Sequence, residues 1–256
     1  MLSKAKTKLI NALLTKKFRQ QHQLFRVEGS NNVLDFLYGG SEVMEVFASE
    51  AWIEQHQSET GSIRPEVVSA DEMKKITSLT TPSEVLALFR LPEETKAPYQ
   101  IHEHLTLMLD DIRDPGNLGT IIRTADWFGI RKVICSQATT DAFSPKVVQA
   151  SMGSLARVDV RYADLFDVLQ NLKADMPVYG ALLEGAPLHE IHHSGQGVIL
   201  IGSEAHGIST ALLPFINHRI TIAPGQALSS GKAESLNASI ATAIICYELS
   251  KNSTGC

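Results

Sequence analysis

The sequence predicts an α/β protein made of a small unit followed by a larger one built on a mostly parallel sheet. Three observations carry that expectation. Beyond residue 104 the short apolar runs LTLML, KVIC, VDV, PVYGALL, GVILIG and HRITIA alternate with helical patterns, as strands buried on both faces do. The stretch LPEETKAPYQIHEH before them is rich in proline and charge and has no period, which marks a linker. The chain has 256 residues, 44% apolar and 20% charged, enough for one large domain or two ordinary ones and without disorder-like composition. The units are expected at 1–95 and 105–256, with residues 96–104 between them.

In the first unit, Leu9, Ile10, Leu13, Leu14 and Phe18 recur at helical spacing, so one amphipathic helix is expected from about Lys4 to Lys17. A strand at Leu24–Val27 follows, then a helix at Ser30–Tyr38 after the Glu28–Gly29 turn. VMEVFAS reads as a strand and AWIEQHQ as a helix. A further helix is expected around Asp71–Leu79, with Asp71 as its cap, and Val85–Phe89 as a closing strand.

Several chemistries are excluded. No apolar run approaches the roughly 20 residues that span a bilayer. The amino-terminal segment is too broken for a secretory signal, and its sparse arginine fits a mitochondrial presequence poorly. Cys135, Cys246 and Cys256 are scattered without CxxC spacing, so neither a disulfide framework nor a zinc site is expected, and a reducing cytoplasm fits best. His102 with His104, and His189, His192 and His193, lack further ligands at metal spacing, so no metal is expected. PGQALSSGKAES fails the phosphate-loop pattern twice: five residues separate its glycines, and Ala233 follows Lys232. GxGxxG and GxSxG are both absent.

Net charge is −5, yet Lys4, Lys6, Lys8, Lys16, Lys17, Arg19 and Arg26 all precede the first acid, Glu28. That leaves 16 basic residues against 28 acids. A basic arm can hold phosphates by counterion release even on an acidic protein. A solvated helix face is the competing reading, and charge alone does not choose between them.

Three segments follow apolar strands of the second unit: DPGNLGTIIRTADWFG, VILIGSEAHGIS and ITIAPGQALSSGKAESLNASIATAIICYEL. Ligands of open α/β sheets bind at the carboxyl ends of strands, so these turns are expected to converge. Their polar residues include an Arg, a Glu, two Asn and a Ser, with no catalytic His. That set suits holding an activated donor and orienting a hydroxyl better than hydrolysis or hydride transfer.

NLGTIIRTA, ILIGSEAHGIS and ESLNAS resemble, in order and spacing, the three motifs of the SpoU (TrmH-type) RNA ribose 2′-O-methyltransferases of the SPOUT superfamily. FRVEGSNNVLDFL is similar to the small ribosomal-protein-like substrate-binding domain often fused to them. The resemblance implies S-adenosylmethionine bound in a deep trefoil knot, a homodimer with the site near the subunit interface, and no metal. It implies Arg123 as the arginine that activates the ribose hydroxyl, with Asn117 and Glu204 orienting it and Ser235 and Asn237 beside cofactor and ribose. A buried Glu204 carboxylate beside Arg123 would hold its guanidinium. By motif position, Gly202, Ile222, Leu236 and Leu182 are the cofactor contacts. The basic residues Lys4, Lys6, Lys8, Lys16, Lys17 and Arg19 would hold RNA, ribosomal RNA first and transfer RNA second. The helix SIATAIICYEL supplies either part of the dimer interface or a buried core element. Two departures stand out: extra residues around LSSGK precede AESLN, and Ser203 stands where Asn is common. A catalytically silent RNA-binding scaffold and a transfer-RNA methyltransferase are the alternatives.

Overall fold

The computed structural model describes residues 1–93, 101, 104–223 and 235–251. It divides into two compact units, Met1–Glu94 with Asp141–Arg157, and Thr95–Thr140 with Val158–Cys256.

The first unit opens with α1 (Lys4–Ala12) and α2 (Lys16–His22), where one helix is expected. The chain turns at Leu13–Thr15, with Thr15 extended, so that Leu13 is fully buried and its carbonyl accepts from Arg19 at 2.7 Å. There follow β1 (Leu24–Glu28), α3 (Ser30–Tyr38), β2 (Val43–Ala48), α4 (Glu50–Gln55), α5 (Gln57–Thr60), β3 (Glu66–Val67), α6 (Ala70–Ile76) and β4 (Val85–Arg90). The sheet order is β1-β4-β2-β3. β4 is thus a central strand, which explains why Val85–Phe89 are all buried.

Ser69, not Asp71, caps α6. Its hydroxyl accepts from the Glu72 amide while Glu72 Oε2 accepts from the Ser69 amide at 2.9 Å, a reciprocal capping box. These amides, first Ser69 and then Leu2 at 2.6 Å, hold the Glu72 carboxyl well down, to about 2 from an ordinary 4.5. A depressed folded pKa stabilises above the unfolded value, and that stabilisation is lost as pH falls through the folded value. The urea midpoint is therefore expected to fall between pH about 4.5 and about 2. Glu72→Gln should flatten that part of the profile, which denaturation curves across the acid range measure.

A buried ion pair fastens β1. Arg26 donates to Glu28 Oε1 at 2.8 Å and to the carbonyls of Ile10 and Ile76, so one guanidinium grips α1 and α6. Glu28 also accepts from Thr77 Oγ1 at 2.6 Å and from the Ser78 hydroxyl at 2.5 Å.

The second unit begins with β5 (Leu105–Asp110), α7 (Pro115–Trp127) and β6 (Lys132–Cys135). The chain then leaves it: α8 (Pro145–Ser151) and a 3-10 turn at Ser154–Ala156 belong to the first unit. Charge and ring contacts explain this. Asp141 pairs with Arg19 at 2.5 Å, Arg157 with Asp35 at 2.9 Å, and Phe143 lies 4.9 Å from Phe25. One continuous stretch from residue 105 does not anticipate this excursion.

β7 (Asp159–Tyr162), α9 (Leu165–Gln170), β8 (Val178–Pro187), β9 (Gly197–Gly202), β10 (His218–Thr221) and α10 (Ala238–Ser250) complete the second unit. The sheet order is β10-β8-β9-β5-β6-β7, and every pairing is parallel. β5 is buried throughout and β9 nearly so, as covered parallel strands must be. From β5 the sheet grows outward through β6 and β7, then resumes on the other side, so β5 and β9 flank a topological switch point. Their last residues, Asp110 and Gly202, are paired.

Candidate active site

Each turn at this switch point is held by local bonds. Asp114 caps α7 by accepting from the Asn117 amide at 2.8 Å, with Pro115 beginning the helix. Asp111 has a left-handed backbone, φ 60°, and binds Arg113 bidentately at 2.8 and 2.9 Å. Gly202 lacks a side chain for a packing reason: a Cβ there would collide with the Gly207 backbone as the loop after β9 turns back. That loop closes through the Gly207 amide on the Ser203 carbonyl at 2.8 Å.

Three of the expected residues meet. Asn117 donates from Nδ2 to Glu204 Oε1 at 2.5 Å, and Asn237 donates from Nδ2 to Asn117 Oδ1 at 2.9 Å. The Ala238 amide donates to the same Glu204 oxygen at 3.1 Å. Asn237 is also the cap of α10: its Oδ1 accepts from the Ser239 amide at 3.0 Å and from the Ser239 hydroxyl at 2.6 Å. Ser235, two residues before this cap, is exposed. The bonds join one residue from each of the three segments.

Arg123 is not in this set. It lies on the exposed side of α7 with Gly116, Thr120 and Trp127, and it has no ion pair among the described residues. Glu204 is exposed, not buried, and its carboxylate is engaged by Asn117 and the Ala238 amide in place of the expected guanidinium.

The expected cofactor contacts lie at the same end of the sheet. Leu182 falls in the stretch where the β8–β10 register jumps, from Gly180↔Arg219 to Ala186↔Ile220, and it packs half-buried against the core. Ile222, just beyond β10, is half-buried, and Leu236 before α10 is 46% exposed. The extra residues at 228–232 lie outside the described residues.

Asp110 was not anticipated. Its carboxylate is buried, 6% exposed, and accepts from the Ser209 amide at 2.7 Å, fixing the loop after β9 to the end of β5. A charged residue closing a fully apolar run was the available signal.

Two members of the proposed basic arm are committed elsewhere. Arg19 is buried against Leu13 and Asp141. Lys6 bridges Glu45 and Glu66, each at 2.6 Å, and those carboxylates raise its pKa. Lys4, Lys8, Lys16 and Lys17 are exposed. Among the described residues there is no cluster of three or more side chains suited to a metal. No described helix is long and apolar enough to cross a membrane.

Residues 104–247 match the SpoU rRNA Methylase family model, and residues 4–87 match the MRM3-like substrate binding domain. The chain is 34% identical to the 23S rRNA (guanosine(2553)-2′-O)-methyltransferase RlmP of Bacillus subtilis, over 93% of this chain and 92% of that protein. It superposes on an RNA methyltransferase of the TrmH family from Porphyromonas gingivalis with TM-score 0.84 and 39% identity, covering 97% and 98% of the two chains. An AdoMet-bound rRNA methyltransferase from Sinorhizobium meliloti gives TM-score 0.85 and 30% identity, over 100% and 97%.

Proposed function

Because this chain belongs to the SpoU rRNA methylase family, we propose that it transfers a methyl group from S-adenosylmethionine to a ribose 2′-hydroxyl of ribosomal RNA. The observation that supports this most is the bonded set Asn117–Glu204–Asn237 at the carboxyl ends of β5 and β9. The AdoMet carried by the Sinorhizobium relative and the 2′-O specificity in the name of the Bacillus relative point the same way.

In this reading Leu182, Gly202, Ile222 and Leu236 hold the cofactor, whose sulfonium supplies an activated methyl group. Asn117 and Asn237 spend their amides on each other, on Glu204 and on the α10 cap, so they lock the three turns in register. Ser235, exposed beside them, faces the ribose. Arg123 polarises the 2′-hydroxyl and its neighbouring phosphate. Its work is electrostatic: as the ribose oxygen takes the methyl, the sulfonium would leave as a neutral thioether and the hydroxyl proton pass to water. The expected trefoil knot is part of the same reading, and residues 224–234 of the carboxyl-terminal part that would form it lie outside the described residues. So are a cytoplasmic location and RNA selection by the first unit, with residues 1–95 as the RNA-binding domain.

The reading includes a homodimer. α10 buries Thr242, Ile245, Cys246 and Leu249 within its own unit, yet Ile240, Ile244 and Tyr247 are 51%, 38% and 56% exposed. Trp127 of α7, 84% exposed, adds to them, and Phe128 lies 6.3 Å from Tyr247. An apolar patch of this kind marks an interface. Arg123 is one helical turn from Trp127, so a second copy covering this face meets that guanidinium and completes the site. Ile244→Glu is expected to convert dimer to monomer in sedimentation velocity with the circular dichroism spectrum retained.

Calorimetry with S-adenosylmethionine tests the proposal. Saturable binding is expected, and its absence in the folded chain would favour the silent scaffold.

A further inference from the structure

We infer that Phe18 and His22 form a stacking platform for an unpaired RNA base on the first unit, with Lys17 holding the adjoining phosphate. The inference rests on the reading that RNA is the substrate, and it deepens that reading by specifying a single-stranded segment as what this surface takes.

Four observations carry it. The rings of Phe18 and His22, four residues apart on α2, lie nearly parallel, with centroids 6.4 Å apart and planes 19° from each other. Both are exposed, Phe18 at 37%, although α2 already has an inward anchor in Arg19, which is 3% exposed. Leu14, in the turn just before α2, is 41% exposed as well. Lys17 and Gln21 form the neighbouring exposed row, and no acid occurs in the chain before Glu28.

Apolar faces left in water beside cations fit few partners. A membrane surface calls for a longer amphipathic helix than the seven residues of α2. An acidic protein partner would use the lysine but gains nothing particular from two parallel rings. A nucleotide uses both features, since every base has a π face and every phosphate a charge. Bases inside a helix are covered by their neighbours, so the platform takes a loop, bulge or strand end. The two corrections to the basic arm sharpen the assignment. With Arg19 and Lys6 engaged by carboxylates of their own unit, a continuous electrostatic track along α1 and α2 is weakened, and a local site of rings plus lysine remains.

Stacking and phosphate contacts are separable because only the second releases counterions. The test measures binding of the full-length protein to a mixed-sequence single-stranded RNA of about 12 nucleotides, within the usual site size, as a function of salt. Phe18→Leu keeps apolar volume and removes the ring face. It is expected to weaken binding about tenfold with an unchanged salt slope, whereas Phe18→Tyr stays near wild type. Lys17→Ala is expected to weaken binding and reduce the slope by about 0.7. The same RNA annealed into a duplex should show no difference between wild type and Phe18→Leu. Equal single-strand affinity for the Leu and Tyr variants overturns the inference, as does a loss that appears equally on the duplex. S-adenosylmethionine binding is measured on the same samples. If wild type lacks it, the methyltransferase reading fails on its own; if it is intact while Phe18→Leu binds RNA normally, only the platform fails.

Discussion

Arg123→Ala is expected to lower methyl transfer by about 10²–10³-fold while leaving S-adenosylmethionine affinity within about twofold of wild type, the usual cost of removing one preorganised donor from a transition state. The guanidinium is exposed and has no ion pair among the described residues, so its removal breaks none there and should leave the fold unchanged. Arg123→Lys restores charge without the planar fork and should recover only part of the rate. Full activity in the lysine variant would reduce the role to simple charge. Dimer geometry adds a sharper expectation. If Arg123 serves the site of a second copy, mixing Arg123→Ala with Glu204→Ala should restore activity to about a quarter of wild type. Half of randomly formed dimers are then mixed, and each mixed dimer carries one intact site. Single-turnover methylation after subunit exchange measures this.

Glu28→Ala is expected to destabilise the first unit by about 3–5 kcal/mol, the range for leaving one partner of a buried ion pair alone. Arg26 is 1% exposed and burial already pushes its guanidinium down, so loss of Glu28 removes its compensating charge. The Thr77 and Ser78 donors would lose their acceptor as well. Replacing both members by apolar residues of similar volume should cost far less, because the uncompensated charge is then absent. Urea unfolding of both variants decides this. A small effect for Glu28→Ala alone would show that water reaches the guanidinium.

Much of the second unit was legible from sequence, because strands buried on both faces announce themselves as apolar runs. All six expected runs became strands of one parallel sheet. The first unit was legible less fully. Its helices have local period, but the break at Leu13–Thr15 arises from burial of Leu13 and a bond from Arg19, which no local pattern encodes. Ser69 and Glu72 carry the capping-box spacing, whereas Asp71, also a residue type that caps helices, falls inside the first turn of α6. The excursion at 141–157 depends on Arg19 meeting Asp141 and on Arg157 meeting Asp35, each 122 residues apart. Periodicity is blind to such pairs. The junction of Asn117, Glu204 and Asn237 spans separations of 87 and 120 residues and was anticipated through motif resemblance and strand-end topology together. The same reasoning set a buried Glu204 carboxylate beside Arg123. Its position on the outward row of α7, six residues and 240° from Asn117, is a helical-phase argument that the sequence already contained.

Methylation of unmodified ribosomal RNA with labelled S-adenosylmethionine, followed by alkaline hydrolysis, reads the reacting atom directly. A methyl on the 2′-oxygen removes the nucleophile that cleaves the next phosphodiester, so the label should be recovered in alkali-resistant dinucleotides. Label recovered in mononucleotides carrying a methylated base would contradict ribose transfer.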